Sequence, residues 1–417
     1  MQREDTPKAM PQESLSRTGQ DNAHDVHETS FRAQLGPVFF LTAIFFVNFV
    51  SRIILSPLLP TIEKELAISH SQAGFLFFLS SAGYLVGLLS SGLLASRSSH
   101  RWAIIASSAG VGAAMLSIAF APNLWMIRSG LFAVGFSAGL YMPSAIATIT
   151  SLIDRRHWGK AIAVHELAPN LAFFLSPFIA ELFLKWSNWR SALGVIGALS
   201  ILASASFARF GRGGESPGES PISSAFGALV RMPALWLMVF LFGLGVSATV
   251  GVYAMLPLYL VTERRLNPSW ANTVVAFSRV HGPILGLLGG WASDKLGAKQ
   301  TIIISMWFTG VVTLLLGWVP DNWLSLVVLF QPLLAVWFFP AAFAAIAAIT
   351  PPSTRNLAVA FSVPVGFVIG GGAIPTFIGA MGDAGSFATG LIITGALITF
   401  GGALALLLKL PEVKSAA

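Results

Sequence analysis

Gly290-Trp291-Ala292-Ser293-Asp294-Lys295-Leu296-Gly297-Ala298-Lys299 has a worn counterpart 198 residues earlier, Gly92-Leu93-Leu94-Ala95-Ser96-Arg97-Ser98-Ser99-His100-Arg101. Each copy ends an apolar run, sets a cation five residues after its glycine and places another near its end. Two more landmarks share nearly this offset. Pro60 and Pro257 are 197 residues apart, as are Pro143 in Tyr-Met-Pro-Ser-Ala and Pro340 in Phe-Phe-Pro-Ala-Ala. A period close to half of 417 residues marks a duplicated unit.

The repeated unit is apolar. Hydrophobic residues make up 55% of the chain and charged residues only 10%, with a mean hydropathy of +0.74. Soluble domains carry about 25% charged residues. So little charge cannot cover a water-facing surface, so the chain reads as a membrane protein. A spanning helix needs about 20 mostly apolar residues. That rule predicts helices over 37–59, 72–95, 102–120, 124–148, 159–183, 189–209, 232–256, 269–292, 300–319, 323–348, 357–380 and 386–409. The expected fold class is an all-α membrane protein of twelve helices in two pseudo-symmetric six-helix halves.

Residues 1–34 are polar and read as a disordered tail. No cleavable signal stands at the start, so the first helix is expected to act as the insertion signal. The two bundles are expected at 35–209 and 232–410, joined by a flexible polar linker over 210–231, with a short tail over 411–417. With the tail taken as cytoplasmic, seventeen Lys and Arg fall on that side and five on the other. This bias predicts that both termini are cytoplasmic. The net charge of +7 sits in the links between apolar runs, which argues against nucleic-acid binding. Cysteine is absent, excluding disulfides, thiolate metal sites and cysteine nucleophiles. His24 and His27 have metal-like spacing but lie in the polar tail, so no metal is expected. No phosphate loop or catalytic constellation is present, so neither ATP use nor an enzyme is expected, and no cofactor is called for.

The Gly290, Asp294, Lys295, Gly297 and Lys299 pattern resembles the signature between helices two and three of the major facilitator superfamily. The first copy departs from it, with Ser96 where Asp is usual and Ser99 where Gly is usual. Gly135-x-x-x-Gly139-x-x-x-Pro143 and the basic link Asp154-Arg155-Arg156-His157-Trp158-Gly159-Lys160 are also similar to that family. The resemblance covers about residues 35–410 and implies alternating access. It implies a cytoplasmic latch at Gly290, Asp294, Lys295 and Lys299, with Arg97 as the counterpart in the degraded first copy.

Ionisable residues inside spans cost about 2.5–3.5 kcal/mol each on insertion scales and are functional candidates. Asn48, Arg52 and Ser56 recur every four residues and share a face of helix one, expected to line an interior cavity; the alternative is an arginine that snorkels or pairs structurally. Arg279 falls near the midplane of helix eight, which Pro283 is expected to kink; it either meets substrate or ties helices through backbone carbonyls. His281 points elsewhere, and Arg128 is shallow enough to snorkel. Glu166 is the one acid well inside a span. It is the first candidate for proton coupling and His165 the second, although adjacent residues on a helix do not face each other. The alternative is a carboxylate paired with an arginine. Tyr84, Tyr141, Tyr253, Tyr259 and Trp337 are candidate cavity aromatics, of which Tyr141, Tyr253 and Trp337 join Arg52, Arg279 and Asn48 as expected substrate contacts.

One buried arginine in each half suits an anion, because guanidinium pairs with carboxylate or phosphate. The expected function is a secondary transporter moving a small organic anion, a carboxylate, with protons. The rivals are an exporter of amphipathic drugs, an inorganic anion porter of nitrite or cyanate type, and a transporter-like ligand sensor. A monomer in a bacterial inner membrane is expected.

Overall fold

The computed structural model describes residues 31–218, 227 and 229–410, with only the backbone for 31–34. The expectations for residues 1–30, for most of the linker and for the 411–417 tail lie outside the described residues. Twelve helical spans run through the rest. Helices one to six are Leu35–Leu66, His70–Arg97, His100–Ala119, Leu124–Leu152, Arg155–Trp186 and Trp189–Phe210. Helix seven is Pro233–Thr262, and helix eight is split into Pro268–Phe277 and Gly282–Leu296. Helices nine to twelve are Ala298–Trp318, Asp321–Ile349, Pro352–Asp383 and Phe387–Leu407. Eleven are long and apolar enough to cross a membrane unbroken, and helix eight falls short only because of its break.

The spans are interrupted near prolines and glycines. Helix one breaks at Ile54, three residues before Pro57. Helix four breaks at Leu140, before Pro143, and helix five at Glu166, before Pro169. Helices seven and eleven hold π-helical turns at Ser247–Gly251 and Ile369–Ala373. Proline lacks the N–H that would meet the carbonyl four residues back, so each proline frees a backbone acceptor. A freed acceptor in a bilayer needs another donor. Two are met across the halves. Ser56 Oγ donates to the Tyr253 carbonyl, freed by Pro257, at 2.7 Å. Tyr253 Oη donates to the Phe173 carbonyl, freed by Pro177, at 3.3 Å.

Within the first half, the glycine run of helix four lies directly on helix two. A Cβ on Gly135 would meet the Ser80 backbone, and one on Gly139 the backbone of Tyr84 and Leu88. Gly83 and Gly87 of helix two answer against Phe132 and Phe136. Small residues permit this approach, which suits association without a hydrophobic drive.

The start of helix one, the end of helix twelve and the even-numbered links share one face of the bundle, here the tail face; the opposite is the far face. On the tail face the duplication is visible at atomic level. Arg101, opening helix three, donates to the carbonyls of Phe207, Ala208 and Gly211 at the end of helix six. Lys299, 198 residues on, opens helix nine and donates to Leu406 and Leu408 at the end of helix twelve, at 2.6 and 2.9 Å. Each cation satisfies orphan carbonyls at a helix C-terminus, where positive charge is favoured. Lys299, which the resemblance assigns to the cytoplasmic latch, bonds within its own half in this conformation. Residues 211–218, expected as flexible linker, are pinned instead: Arg101 and His100 donate their N–H groups to Gly214 and Ser216, and Gly218 donates to Ala95. Asp294, Lys295 and Arg97 stand exposed.

The halves are fastened toward the far face. Asp383, ending helix eleven, accepts the N–H groups of His70 and Ser71 at 2.8 and 2.9 Å, so a carboxylate sits on the N-terminus of helix two. Gly74 and Gly379 abut the backbone of Pro375 and His70 beside it. Asn272 of helix eight donates to Glu181 of helix five at 2.6 Å and to the Pro57 carbonyl at 3.3 Å. Among the described residues no hydrogen bond or ion pair joins the halves near the tail face.

Two outcomes follow. Gly135→Leu should overpack the helix two–four contact by about 1–3 kcal/mol and lower the thermal midpoint in detergent, whereas Gly286→Leu, with open space around its Cα, should not. Asp383→Ala in a Ser71→Cys background should speed maleimide labelling of the introduced thiol about tenfold, since hydrogen bonds to a charged group contribute about 1.5–3 kcal/mol. Unchanged labelling would show that the far face stays shut without Asp383.

Candidate functional site

Two arginines approach the midplane from opposite halves. Arg52 of helix one has its Cζ 3.9 Å from the Tyr84 ring centroid, 5.1 Å from Phe367 of helix eleven and 5.5 Å from Phe49. Arg279 sits in the break of helix eight and is 6% exposed. Its Nη2 donates to the Thr249 carbonyl in the π turn of helix seven at 2.9 Å. Its Cζ lies 4.9 Å from the Phe173 centroid and 5.1 Å from Tyr253. A chain of rings connects the two cations: Phe49 meets Phe173 edge-on at 5.3 Å, and Phe173 meets Tyr253 edge-on at 4.8 Å.

Aromatic faces attract guanidinium but do not neutralise it. Among the described residues no carboxylate lies within ion-pair distance of Arg52 or Arg279. Arg279 Nε is buried without a partner. A buried donor left unmade costs about 1–3 kcal/mol, more when charged. The backbone tie foreseen as the alternative for Arg279 is therefore present, yet it leaves part of the fork unused.

Proline chemistry places these groups. The Gly282-Pro283 pair ends the first part of helix eight, and the turn at 278–281 carries Arg279. A Cβ on Gly282 would meet Asn170 of helix five, so the break packs against a polar side chain of the other half.

The second cluster lies in the first half. Tyr141 is fully buried, and its hydroxyl is 2.7 Å from the Leu41 carbonyl and 3.1 Å from His165 Nε2. His165 is 0% exposed and stacks on Phe45 at 4.5 Å. His165 Nδ1 is 3.4 Å from Glu166 Oε1, and the Glu166 side chain is 43% exposed. Sequence spacing put these neighbours on diverging directions. The correction comes from the helix break: Glu166 has φ −73° and ψ −3°, off the regular spiral, which brings its carboxyl back to the imidazole. Asn170, expected on the face of Glu166, donates to the Glu166 carbonyl at 3.0 Å.

Other expected contacts are placed differently. Asn48 does not line a common stripe with Arg52; it turns into the first half and donates to Ser107 of helix three at 3.3 Å. Ser56 reaches across to helix seven. Tyr141 is consumed by Leu41 and His165 and presents no free hydroxyl. Tyr253 lies beside Arg279 and Phe173. Trp337 packs on helix eight at Gly289, with its indole N–H buried and unpaired. Arg128 sits 5.2 Å from the Trp125 ring, beside an exposed indole. Phe45, Phe49, Phe173 and Phe367 were missed; Phe49 one turn before Arg52 and Phe173 four residues before Pro177 carried a hint, and Phe45 and Phe367 carried none.

A family model described as the Major Facilitator Superfamily matches residues 41–282 and again 269–417. A synaptic vesicular amine transporter of Bos taurus is 28% identical over 152 residues, 36% of this chain and 29% of that protein. The chain thus spans less than a third of that relative. A probable multidrug-efflux transporter of Mycobacterium tuberculosis is 28% identical over 180 residues, 42% of this chain and 36% of its own length. A probable nitrate/nitrite transporter of the same species is 24% identical over 293 residues, 66% of this chain and 70% of its own length. Among solved structures, a bacterial homolog to the human lysosomal transporter Spinster, inward-facing and occupied, superposes with TM-score 0.74 at 16% identity, covering 89% of this chain and 95% of that one. A POT family transporter in complex with a thioalcohol-conjugated peptide superposes with TM-score 0.73 at 13% identity, covering 89% of this chain and 95% of that one. The repeat, the twelve spans and a family model that matches more than half of the chain agree: this protein belongs to the Major Facilitator Superfamily.

Proposed function

We propose that this transporter moves a small organic anion, a carboxylate, together with protons. The observation that carries the reading is the pair Arg52 and Arg279. They come from opposite halves, lack carboxylate partners among the described residues, and are linked through Phe49 and Phe173. Guanidinium is a planar fork that matches a carboxylate with two parallel bonds. An anion bound between the arginines would touch both halves, which is where a carrier needs its substrate. Ring faces around the cations favour a substrate with an apolar body over a sugar. Two interior cations, Arg279 buried and Arg52 partly so, disfavour a cationic drug.

The pattern of contacts supports one end of an alternating-access cycle: fastened at the far face, with no hydrogen bond or ion pair between the halves near the tail face among the described residues. With the termini in the cytoplasm, as the charge bias supports, this is the inward-open end, in a bacterial inner membrane. Asp294 and Lys295 are then free to close the tail face in the other end state. In this reading Glu166, half-exposed beside His165, exchanges the protons.

An inorganic anion such as nitrate is the second reading, favoured by the nitrate/nitrite relative, whose match is the broadest of the three relatives above. A thermal-shift screen of small carboxylic acids, nitrate, sugars and cationic drugs should give its largest stabilisation with an acid. In proteoliposomes, uptake of that acid should rise with an inward proton gradient. Arg52→Ala and Arg279→Ala should each lower kcat/KM at least about tenfold, equivalent to ~1.4 kcal/mol, with partial rescue by Lys at either position. Unaltered uptake by both alanine variants would sink the anion site, nitrate alone as the transported ion would select the second reading, and absence of counterflow would indicate a sensor.

A further inference from the structure

The hydrogen bonds around His165 fix more than its position. The Leu41 carbonyl only accepts, so at 2.7 Å it takes the single hydroxyl proton of Tyr141. Tyr141 Oη is then an acceptor toward His165 Nε2 at 3.1 Å, and that nitrogen must carry a hydrogen. A neutral imidazole has one N–H. Nδ1 would therefore be bare, with its lone pair aimed at Glu166 Oε1 3.4 Å away. A lone pair against an ionised carboxylate is repulsive. One proton between them removes the conflict, whether it sits on Nδ1 as imidazolium or on Glu166 as the acid.

We propose that Tyr141 is a positioning residue that locks His165 in its Nε2–H form, so that His165 and Glu166 together hold one proton in this conformation. The inference rests on the proton-coupled reading above and names where the proton resides. Its path is short. His165 is dry and Glu166 is wetted, so the proton leaves as Glu166–COOH gives H+ to water and becomes carboxylate. What remains is a bare Nδ1 facing a carboxylate. While Tyr141 keeps the hydrogen on Nε2, that repulsion is relieved when His165 turns away, at the cost of its bond to Tyr141, or when the half-exposed Glu166 carboxylate swings off the imidazole. Tyr141 belongs to helix four and Leu41 to helix one, so proton release strains the junction of helices one, four and five. That junction carries Arg52 on the same helix as Leu41.

The surrounding charges are few. Tyr84 of helix two and Tyr141 of helix four both feel the Glu166 charge. Helix one brings Arg52, held on Tyr84, besides Glu63, Lys64 and Glu65 at its far end. Helix eight brings Arg279 and His281 at its break, besides Asp294 and Lys295 at its tail-face end. Helix six has only Arg190 and Arg209 near its ends, and helix five itself adds Glu181 and Lys185 far along and the basic link before Trp158.

The test needs no substrate. The full chain, labelled with 15N-histidine and held in lipid nanodiscs, is titrated with acid and base, and the His165 signals are identified by their loss in His165→Gln. The expected wild-type result is an Nε2 that stays protonated throughout, with one proton lost from the pair on the Nδ1 side. Tyr141→Phe removes the lock and admits the Nδ1–H form beside a carboxylate. Deprotonation becomes easier, so the midpoint should fall by about one pH unit or more and the Nδ1–H form should appear. Glu166→Gln should also lower the midpoint but keep Nε2–H, which separates positioning from charge and stands if Tyr141→Phe fails to fold. An Nδ1–H wild type, or an unmoved midpoint in folded Tyr141→Phe, would overturn the proposal. Wild-type uptake indifferent to a proton gradient would instead remove the coupling reading and leave the tautomer result in place.

Discussion

A carbonyl freed inside a bilayer has no water to turn to. That constraint organises this protein's midplane. Pro257 frees Tyr253, and Ser56 of the other half meets it. Pro177 frees Phe173, and the Tyr253 hydroxyl meets that. The π turn of helix seven offers the carbonyls of Ala248 and Thr249, met by Gln331 and Arg279. The irregular backbone thus adds two bonds between the halves at the midplane and fixes one arginine. Tyr253 works in both directions, giving its carbonyl to Ser56 and its hydroxyl to Phe173, so a shift of helix seven is felt in helices one and five together.

The same irregularity sets the limit of what the sequence disclosed. The spans, the duplication and the Gly135-x-x-x-Gly139 contact were legible because they depend on hydropathy, spacing and side-chain size, which survive in one dimension. The predicted kink at Pro283 is a full break of helix eight for the same reason. The interior was less legible. Treating helices as regular rods put His165 and Glu166 on separate faces and Asn48 in line with Arg52. The break at Glu166 undoes the first, and the Asn48–Ser107 bond within the first half undoes the second. Lys299 is a further case: a cation in that link reads as a latch or as a plain basic loop residue, and its bonds to the end of helix twelve in this conformation depend on where that helix lies.

The duplication is kept where it holds each half together and lost where the halves differ in task. Arg101 and Lys299 cap the last helix of their own halves in the same way, at an offset of 198 residues. The Pro60–Pro257 repeat sets Ser56 against Tyr253, equivalent positions that meet across the pseudo-symmetry axis. Arg52 and Arg279 have no such equivalence: one lies on helix one against rings of helices two and eleven, the other in a break of helix eight. Neither cation has a carboxylate partner among the described residues, and an ionisable group near a bilayer centre costs about 2.5–3.5 kcal/mol on insertion scales. Aromatic faces offset part of that, about 0.5–2 kcal/mol apiece, but carry no counter-charge. In the proposed function an anion between the halves supplies the counter-charge that the rings lack. In the proposed cycle this is why binding favours bringing the halves together: a carboxylate offsets one of the two guanidinium charges, the His165–Glu166 pair is neutral while it holds its proton and adds one negative charge once that proton is lost, and either change disturbs the helix junctions that the freed carbonyls join.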